Sequence, residues 1–443
     1  MSNEKVMNRW LVVAGALLIQ VSLGAIYIYS VFKPALKEQF PDWSATNLAL
    51  PSQLVLAFFA VSTIFAGRIQ DKLGPRKIAT VGGILLGLGL FIASRATSLP
   101  LFIIGFSVIG GIGIGTAYVC PIATCVKWFP DKRGLITGLA VAGFGAGALL
   151  FTPVAKSLIA SQGIMNTFMY LGIIFLVAVV LGAQLMINPP AGYKPEGWNP
   201  PTPAAGAAAA KADYTWQQML GTAQFWLLWL TYFAGCTAGL MVIMNVTNVW
   251  QSFALPAVFD GTNPIAKATF DGVAAKGASA VMIVAILNAL GRIGWGKISD
   301  NLGRKTTMII MFIFAGIVML VLNMLNTYPL YLLGVSCVGF CFGGFLALYP
   351  AVTADYFGTK NVGANYGWMF TAYGAGGLFG PWLAPKLMSV VNKIPYEVMD
   401  KATKAITTKN YDAGNYVKAF MISGVLCLVA MLIVLVVKPP KKA

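Results

Sequence analysis

The chain contains one short segment twice, GRIQDKLG at 67–74 and GKISDNLG at 296–303. A basic pair follows each copy, at 76–77 and at 304–305. The spacing is constant, since 296 − 67, 300 − 71 and 303 − 74 all equal 229. A unit that recurs at half the chain length indicates an internal duplication, and therefore two related halves.

The composition is that of a membrane protein. Of 443 residues, 58% are hydrophobic and only 10% are charged, with a mean hydropathy of +0.76. Soluble proteins carry about 25% charged residues, so we expect this chain to be embedded in a bilayer. The first apolar run, near 10–32, is too long for a signal-peptide core and is interpreted as a retained span. A duplicated membrane chain of this kind predicts a transporter with its substrate site between the halves.

Histidine is absent, and six cysteines lie in apolar runs. Cys337 and Cys341 share a helix face, but no acid is near enough in sequence to complete a metal site, so we interpret the cysteines as packing residues. Without histidine the commonest general base is missing. We therefore expect no enzyme activity, no catalytic residues, no cofactor and no metal.

Twelve apolar runs are long enough to span a bilayer. They begin near residues 10, 47, 78, 100, 135 and 166, and again near 223, 277, 305, 328, 362 and 416. The predicted fold is all-α, with twelve transmembrane helices in two pseudo-symmetric six-helix halves. A Pro- and Ala-rich stretch breaks the pattern in the middle. The predicted domains are therefore 1–187, a linker at 188–222, and 223–443.

The orientation follows from the placement of lysine and arginine. Loops after helices 2, 4 and 8 and both chain ends are basic, whereas the opposite loops mix charges. The net charge of +17 is thus explained by topology, without nucleic acid as a partner. Because basic loops stay inside, we expect both termini and the linker to be cytoplasmic.

Five stretches resemble known families. GRIQDKLGPRK (67–77) and GKISDNLGRK (296–305) resemble the loop signature of the major facilitator superfamily. Within it, WFPDKRGL (128–135), GYKPEGWNPP (192–201) and NALGRIGWGKISD (288–300) resemble the oxalate/formate antiporter and bacterial monocarboxylate porter family. The resemblance implies an alternating-access carrier of small carboxylates in the cytoplasmic (inner) membrane of a prokaryote.

The repeated loops also predict a conformational latch. Asp71 and Asp300 are placed to pair with loop cations or to lie at a helix end, where a carboxylate is stabilised. The neighbouring cations are Arg76 and Arg304. Such contacts must break when the halves move, so we expect these four residues to control the conformation rather than to bind substrate.

Arg292 is the charge that the hydropathy does not explain. It lies within apolar helix 8, whereas the fourteen acidic residues lie in loops, termini or span ends. An arginine at a helix centre costs about 2.5–3.5 kcal/mol on insertion scales, so it should face protein or water. Its counterpart 229 residues earlier is Thr63, so the duplicated scaffold needs no cation there. We expect its guanidinium to bind a carboxylate; the alternatives are snorkelling to the surface or bonding backbone carbonyls. The resembled family carries its substrate-binding arginine on helix 8.

Aromatic residues are the next candidates for substrate binding. Tyr366, Phe370 and Tyr373 share one face of helix 11 by their spacing. Tyr27 and Tyr118 match aromatic positions of the resembled family. Together these residues would form an aromatic pocket with a few hydroxyl groups around one cation.

Two departures from the family bear on the substrate and its coupling. Oxalate-carrying members have a lysine where Tyr373 stands, and one cation suits one carboxylate. Lactate, pyruvate or formate therefore rank above oxalate. Asn288 lies one turn before Arg292, where eukaryotic proton-coupled porters have an acid. An amide cannot take that proton, so proton symport and anion exchange both stay open.

The predicted function is secondary active transport of small organic monocarboxylates by alternating access. The alternatives are an oxalate/formate exchanger and, in another class, a non-transporting carboxylate sensor. The expected partners are a small carboxylate anion, protons or a counter-carboxylate, and the lipid bilayer. We expect a monomer.

Overall fold

The structure is a computed structural model that describes residues 7–199, 213–399 and 406–440. In these ranges, ten helices are long and apolar enough to cross a membrane. One of them, Arg133–Gln184, has 52 residues and contains two spans, because non-helical Gly163 (φ 75°) divides it. A further helix, Val362–Leu387, is not one of these ten. It has 26 residues, with glycines and tyrosines among the apolar ones. The described residues therefore hold the twelve predicted spans.

The first six helices form the N-terminal half. Two of their boundaries have a clear local cause: the Ser44 side chain caps the second helix by accepting from the Asn47 amide, and Pro75 suits the first turn of the third. The helices are α1 (Arg9–Gln39), α2 (Ala45–Leu73), α3 (Pro75–Ala93), α4 (Leu99–Trp128), α5 (133–162) and α6 (164–184).

The second six form the C-terminal half, preceded by a short helix, Trp216–Leu220, with a capping box. They are α7 (Ala223–Ile243 and Val246–Val258), α8 (Lys267–Leu302), α9 (Arg304–Met324), α10 (Tyr328–Phe357), α11 (Val362–Leu387) and α12 (Val417–Val436). Eleven of the twelve helices begin within three residues of the prediction. Helix α8 begins ten residues early, because its first turns are polar and lie outside the apolar run.

A β-hairpin, which the sequence did not predict, joins α11 to α12. Strands β1 (Ser389–Met399) and β2 (Ile406–Asn415) pair antiparallel. The hairpin is fastened to the beginning of α8, where the rings of Phe270 and Tyr396 stack 3.9 Å apart. The Ile265 amide also donates to the Pro395 carbonyl at 2.8 Å. The hairpin thus belongs to the C-terminal half.

The two halves meet through glycine pairs. A Cβ on Gly67 of α2 would lie 2.1 Å from the Gly363 carbonyl oxygen at α11, and one on Gly296 of α8 would lie 2.2 Å from that of Gly134 in α5. Backbones approach this closely only where side chains are absent. Both pairs lie near the loops after α2 and α8. We call this side of the molecule the Asp71–Asp300 face.

Candidate functional site

Arg292 lies on α8 where that helix packs against α5 of the other half, and it is only 3% exposed. Glycines of α5 make room for it: a Cβ on Gly145 would be 3.2 Å from the guanidinium carbon. Its Nη1 donates to the Val141 carbonyl of α5 at 2.5 Å, and its Nε donates to Asn288 Oδ1 at 3.0 Å. The guanidinium is therefore buried at the interface between the halves.

Both hydrogen-bond partners of Arg292 are neutral. The ion pairs within the described ranges join other residues and leave Arg292 without a carboxylate. Arg292 is thus buried, and it makes the contact that the sequence analysis gave as one alternative, a bond to a backbone carbonyl. The side chain does not snorkel to the surface.

Asn288 orients this guanidinium. It is 7% exposed, and its Nδ2 donates to the Gly339 carbonyl of α10 at 3.1 Å while its Oδ1 accepts from Arg292. Both polar atoms of the side-chain amide are hydrogen-bonded, so Asn288 links α10 to Arg292 and fixes the orientation of the guanidinium.

A tyrosine pair connects the two halves beside the arginine. The hydroxyls of Tyr27 on α1 and Tyr373 on α11 are 2.6 Å apart. Phe370 stacks on Tyr373 with ring centroids 4.8 Å apart, and its ring also lies 4.9 Å from Tyr118 of α4. Tyr366 packs 5.7 Å from Phe370 and is buried. The structure therefore brings the aromatic candidates into one cluster.

Several residues at this site were missed in the sequence. Phe59 and Phe144 pack on Tyr118 with centroids 5.0 and 5.2 Å away. Phe144 could have been found, since the repeat aligns it with Tyr373 at a separation of 229. The Val141 carbonyl carries no sequence signal.

The two aspartates of the predicted latch bind helix starts in the opposite half. Asp71 accepts from the Ala364 amide in the first turn of α11 at 2.8 Å. Asp300 accepts from the amides of Gly134 and Leu135 in the first turn of α5, each at 2.8 Å. Free amides and the helix dipole stabilise a carboxylate at this position.

The cations of the predicted latch behave differently from one another. Arg304 pairs with Asp300 at 2.7 Å and with Asp355 at 2.9 Å, and Arg133 of α5 also pairs with Asp355. Arg76 lies elsewhere: it is exposed and donates to the Gln184 carbonyl at 2.8 Å, within its own half. The structure thus does not bring Arg76 to the contacts between the halves.

Lys127 of α4 is the cation beside Asp71, at 3.5 Å. It lies in the last turn of α4. In the sequence analysis it counted only among the basic residues after helix 4 that indicate the orientation. Asp71 is therefore partnered by the end of α4 and the beginning of α11 rather than by cations in the loop after α2.

Two six-helix halves that are joined by reciprocal carboxylate contacts, with a buried cation between them, have the architecture of a membrane carrier. The chain belongs to the Major Facilitator Superfamily, whose family model matches residues 15–262 and 251–443. It is therefore a multi-pass membrane protein of a transporter superfamily. Its fold is similar to that of the proton:xylose symporter XylE, with a TM-score of 0.67 and 15% identity over 97% of this chain and 96% of that one.

Three relatives align along most of the chain. An uncharacterized MFS-type transporter, YhjX of Escherichia coli (strain K12), is 30% identical over 84% of this chain and 86% of its own length. The oxalate:formate antiporter of Oxalobacter formigenes is 29% identical over 84% and 83%. Apicoplast pyruvate carrier 1 of Toxoplasma gondii is 28% identical over 79% and 71%.

Proposed function

We propose that this chain carries small organic monocarboxylates, of the lactate, pyruvate and formate class, by alternating access. One observation carries the proposal: Arg292 is buried between the halves and bonds only neutral groups. A guanidinium held in a bilayer without a counter-charge is stabilised by an anion, and its planar fork matches a carboxylate.

The relatives support a small carboxylate as the substrate. The names of two relatives contain oxalate, formate and pyruvate, and each of these anions carries a carboxylate. The aromatic cluster around Arg292 contributes tyrosine hydroxyls rather than a second cation, and a dianion would leave one charge unpaired. An oxalate/formate exchanger is the second candidate, because one relative bears that name.

The contacts between the halves support an order of events. We infer that the Asp71–Asp300 face is cytoplasmic, with both termini on that side of a bacterial inner membrane, so this conformation is closed to the cytoplasm. An arriving carboxylate would replace the Val141 carbonyl on Arg292 and remove one bond between the halves. Release of the Asp71 and Asp300 contacts would then let the halves rock apart on the cytoplasmic side. We take the carrier to be a monomer with halves at 1–187 and 223–443, joined by the linker at 188–222.

Uptake into proteoliposomes tests the proposal. Labelled lactate, pyruvate, formate and oxalate are offered under a proton gradient, and separately with unlabelled carboxylate inside. We expect Arg292→Ala to lower monocarboxylate uptake about 100-fold or more, because each hydrogen bond to a charged group contributes about 1.5–3 kcal/mol. Arg95→Ala is the matched control, since Arg95 is exposed and lies between α3 and α4.

Each outcome has a distinct reading. Uptake driven by the proton gradient indicates symport, and uptake driven by internal carboxylate indicates exchange. Oxalate uptake above that of the monocarboxylates favours the second candidate. Binding without flux indicates a sensor, and normal uptake by Arg292→Ala would place the site elsewhere.

A further inference from the structure

Gly145 of α5 contacts the flat face of the Arg292 guanidinium. A Cβ on Gly145 would lie 3.2 Å from the guanidinium carbon, 3.3 Å from Nη1 and 3.4 Å from Nη2. Because these three distances are nearly equal, the Cβ position lies over the face of the planar group rather than in its plane. The guanidinium therefore rests flat on the bare backbone of α5.

Neither the backbone conformation nor the packing of the helices requires a glycine at position 145. Gly145 lies inside α5 and does not belong to the described glycines with positive φ. Gly138, two turns earlier, differs, because its Cβ would lie 2.1 Å from the Arg292 carbonyl oxygen and would separate α5 from α8. The three atoms nearest to a Cβ on Gly145 all belong to the guanidinium. Since glycine is less stable than alanine within a helix, the guanidinium accounts for this glycine.

The same geometry leaves one edge of the guanidinium for a ligand. Its Nε donates to Asn288 and its Nη1 to Val141, whereas Nη2 donates to no residue within the described ranges. Nη2 is also not fully buried. Gly145 is half-buried, although residues 140–144 before it are buried, so open space borders the guanidinium at this level of α5.

We propose that Gly145 is a positioning residue for the substrate. Its missing side chain lets Arg292 lie flat against α5, and this orientation directs the Nη2 edge of the guanidinium to the carboxylate. The inference rests on the proposed function and adds the residue that orients its cation. A planar guanidinium binds a carboxylate through N–H groups in its own plane, so a tilt of that plane weakens binding.

Alanine substitutions at two equivalent positions of the repeat test this inference. Gly145→Ala places a methyl group against the guanidinium, which must move by about 0.3 Å to restore ordinary contact. Gly374→Ala is the matched control, because 374 − 145 equals 229 and its Cβ would lie 3.1 Å from the uncharged side chain of Ala60 in α2. Gly145→Ala should raise KM for pyruvate uptake into proteoliposomes about fivefold to tenfold and leave kcat within about twofold. Gly374→Ala should leave both near their wild-type values.

Thermal stability gives a second readout that does not depend on transport. Tm is measured in detergent for the wild type, Gly145→Ala, Arg292→Ala and the double variant. Gly145→Ala should lower Tm in the wild-type background, because its methyl group overpacks the guanidinium. In the Arg292→Ala background it should raise Tm or leave it unchanged, because alanine favours the helix and the guanidinium is gone. Should Gly145→Ala fail to fold, the double variant should still fold.

Three results would overturn the inference. A KM that rises no more in Gly145→Ala than in Gly374→Ala would assign both glycines to packing. A lower kcat at an unchanged KM would assign Gly145 to the movement of the halves. An equal fall in Tm with and without Arg292 would show that the methyl group meets other atoms. Failure of the proposed function is distinguishable, because the wild type would then carry no monocarboxylate, or Arg292→Ala would carry them normally.

Discussion

The contact between Gly134 and Gly296 gives the sharpest prediction about conformational control. A Cβ on Gly296 would lie 2.2 Å from the Gly134 carbonyl oxygen. Carbon atoms in good contact are about 3.5 Å or more from their neighbours. Gly296→Ala therefore requires α5 and α8 to separate by more than about 1 Å at the Asp71–Asp300 face.

The size of the effect follows from the cost of overpacking. An extra methyl group in a closely packed interface costs about 1–3 kcal/mol. Only conformations in which the halves are separated at this face avoid that cost. Because 1.4 kcal/mol corresponds to a tenfold change in an equilibrium, the population should shift about 5- to 150-fold toward the separated form.

Spin labels at positions 132 and 297 report the separation, because both native lysines are exposed and lie on opposite sides of the interface. The native cysteines are buried or half-buried, which favours labelling of the introduced ones. Gly296→Ala should enlarge the long-distance population in electron paramagnetic resonance. Gly272→Ala is the matched control, since it adds the same methyl to the same helix with nothing within 4 Å.

Distance distributions that coincide for Gly296→Ala, Gly272→Ala and the wild type would refute the reasoning. The Gly134→Ala variant tests the same contact from the other helix, because its Cβ would lie 2.3 Å from the Gly296 carbonyl oxygen. It should give the same shift, and it keeps the prediction testable if one variant does not fold.

Two other variants probe the attachments of the C-terminal half. Asp300→Asn keeps the shape of the side chain but removes the charge that faces the amides of Gly134 and Leu135; we expect about 1–2 kcal/mol less stability of the closed form. The same label pair would show this as a larger separated population, and an unchanged distribution would contradict the role of Asp300. Phe270→Ala removes the ring that stacks on Tyr396, so tryptic cleavage within the hairpin should become faster while the helices stay protected. Equal cleavage in the wild type would show that the stack does not fasten the hairpin.

The membrane spans could be predicted from the sequence because the bilayer restricts the solutions. A span must be long, apolar and hydrogen-bonded within itself. The exceptions lie outside the hydrocarbon region. The first turns of α8 are polar, and strands β1 and β2 lie between the last two spans, where water permits either a loop or strands.

The candidate site could be predicted only in part. Arg292 stands out because a charge in an apolar run is rare. Its partner could not be predicted, because every residue has a carbonyl and only the packing of α5 on α8 selects that of Val141. The roles of the tyrosines were equally inaccessible. Tyr373 and Tyr366 are alike in the sequence, and only the structure shows that the Tyr373 hydroxyl bonds Tyr27 of the other half.

The comparison of the two halves explains how one motion and one site can come from a duplicated chain. Asp71 and Asp300 make equivalent contacts with the opposite half, so the same rocking motion releases both. Thr63 and Arg292 occupy equivalent positions but act differently. The Thr63 hydroxyl bonds the Phe59 carbonyl within its own helix at 2.8 Å, whereas Arg292 reaches the other half. The repeated residues therefore form the moving scaffold, and the departure from the repeat places the cation of the candidate site, Arg292, in one half. A cation in only one half binds one end of an anion, so the other end must be recognised by different chemistry, for which the structure offers tyrosine hydroxyls.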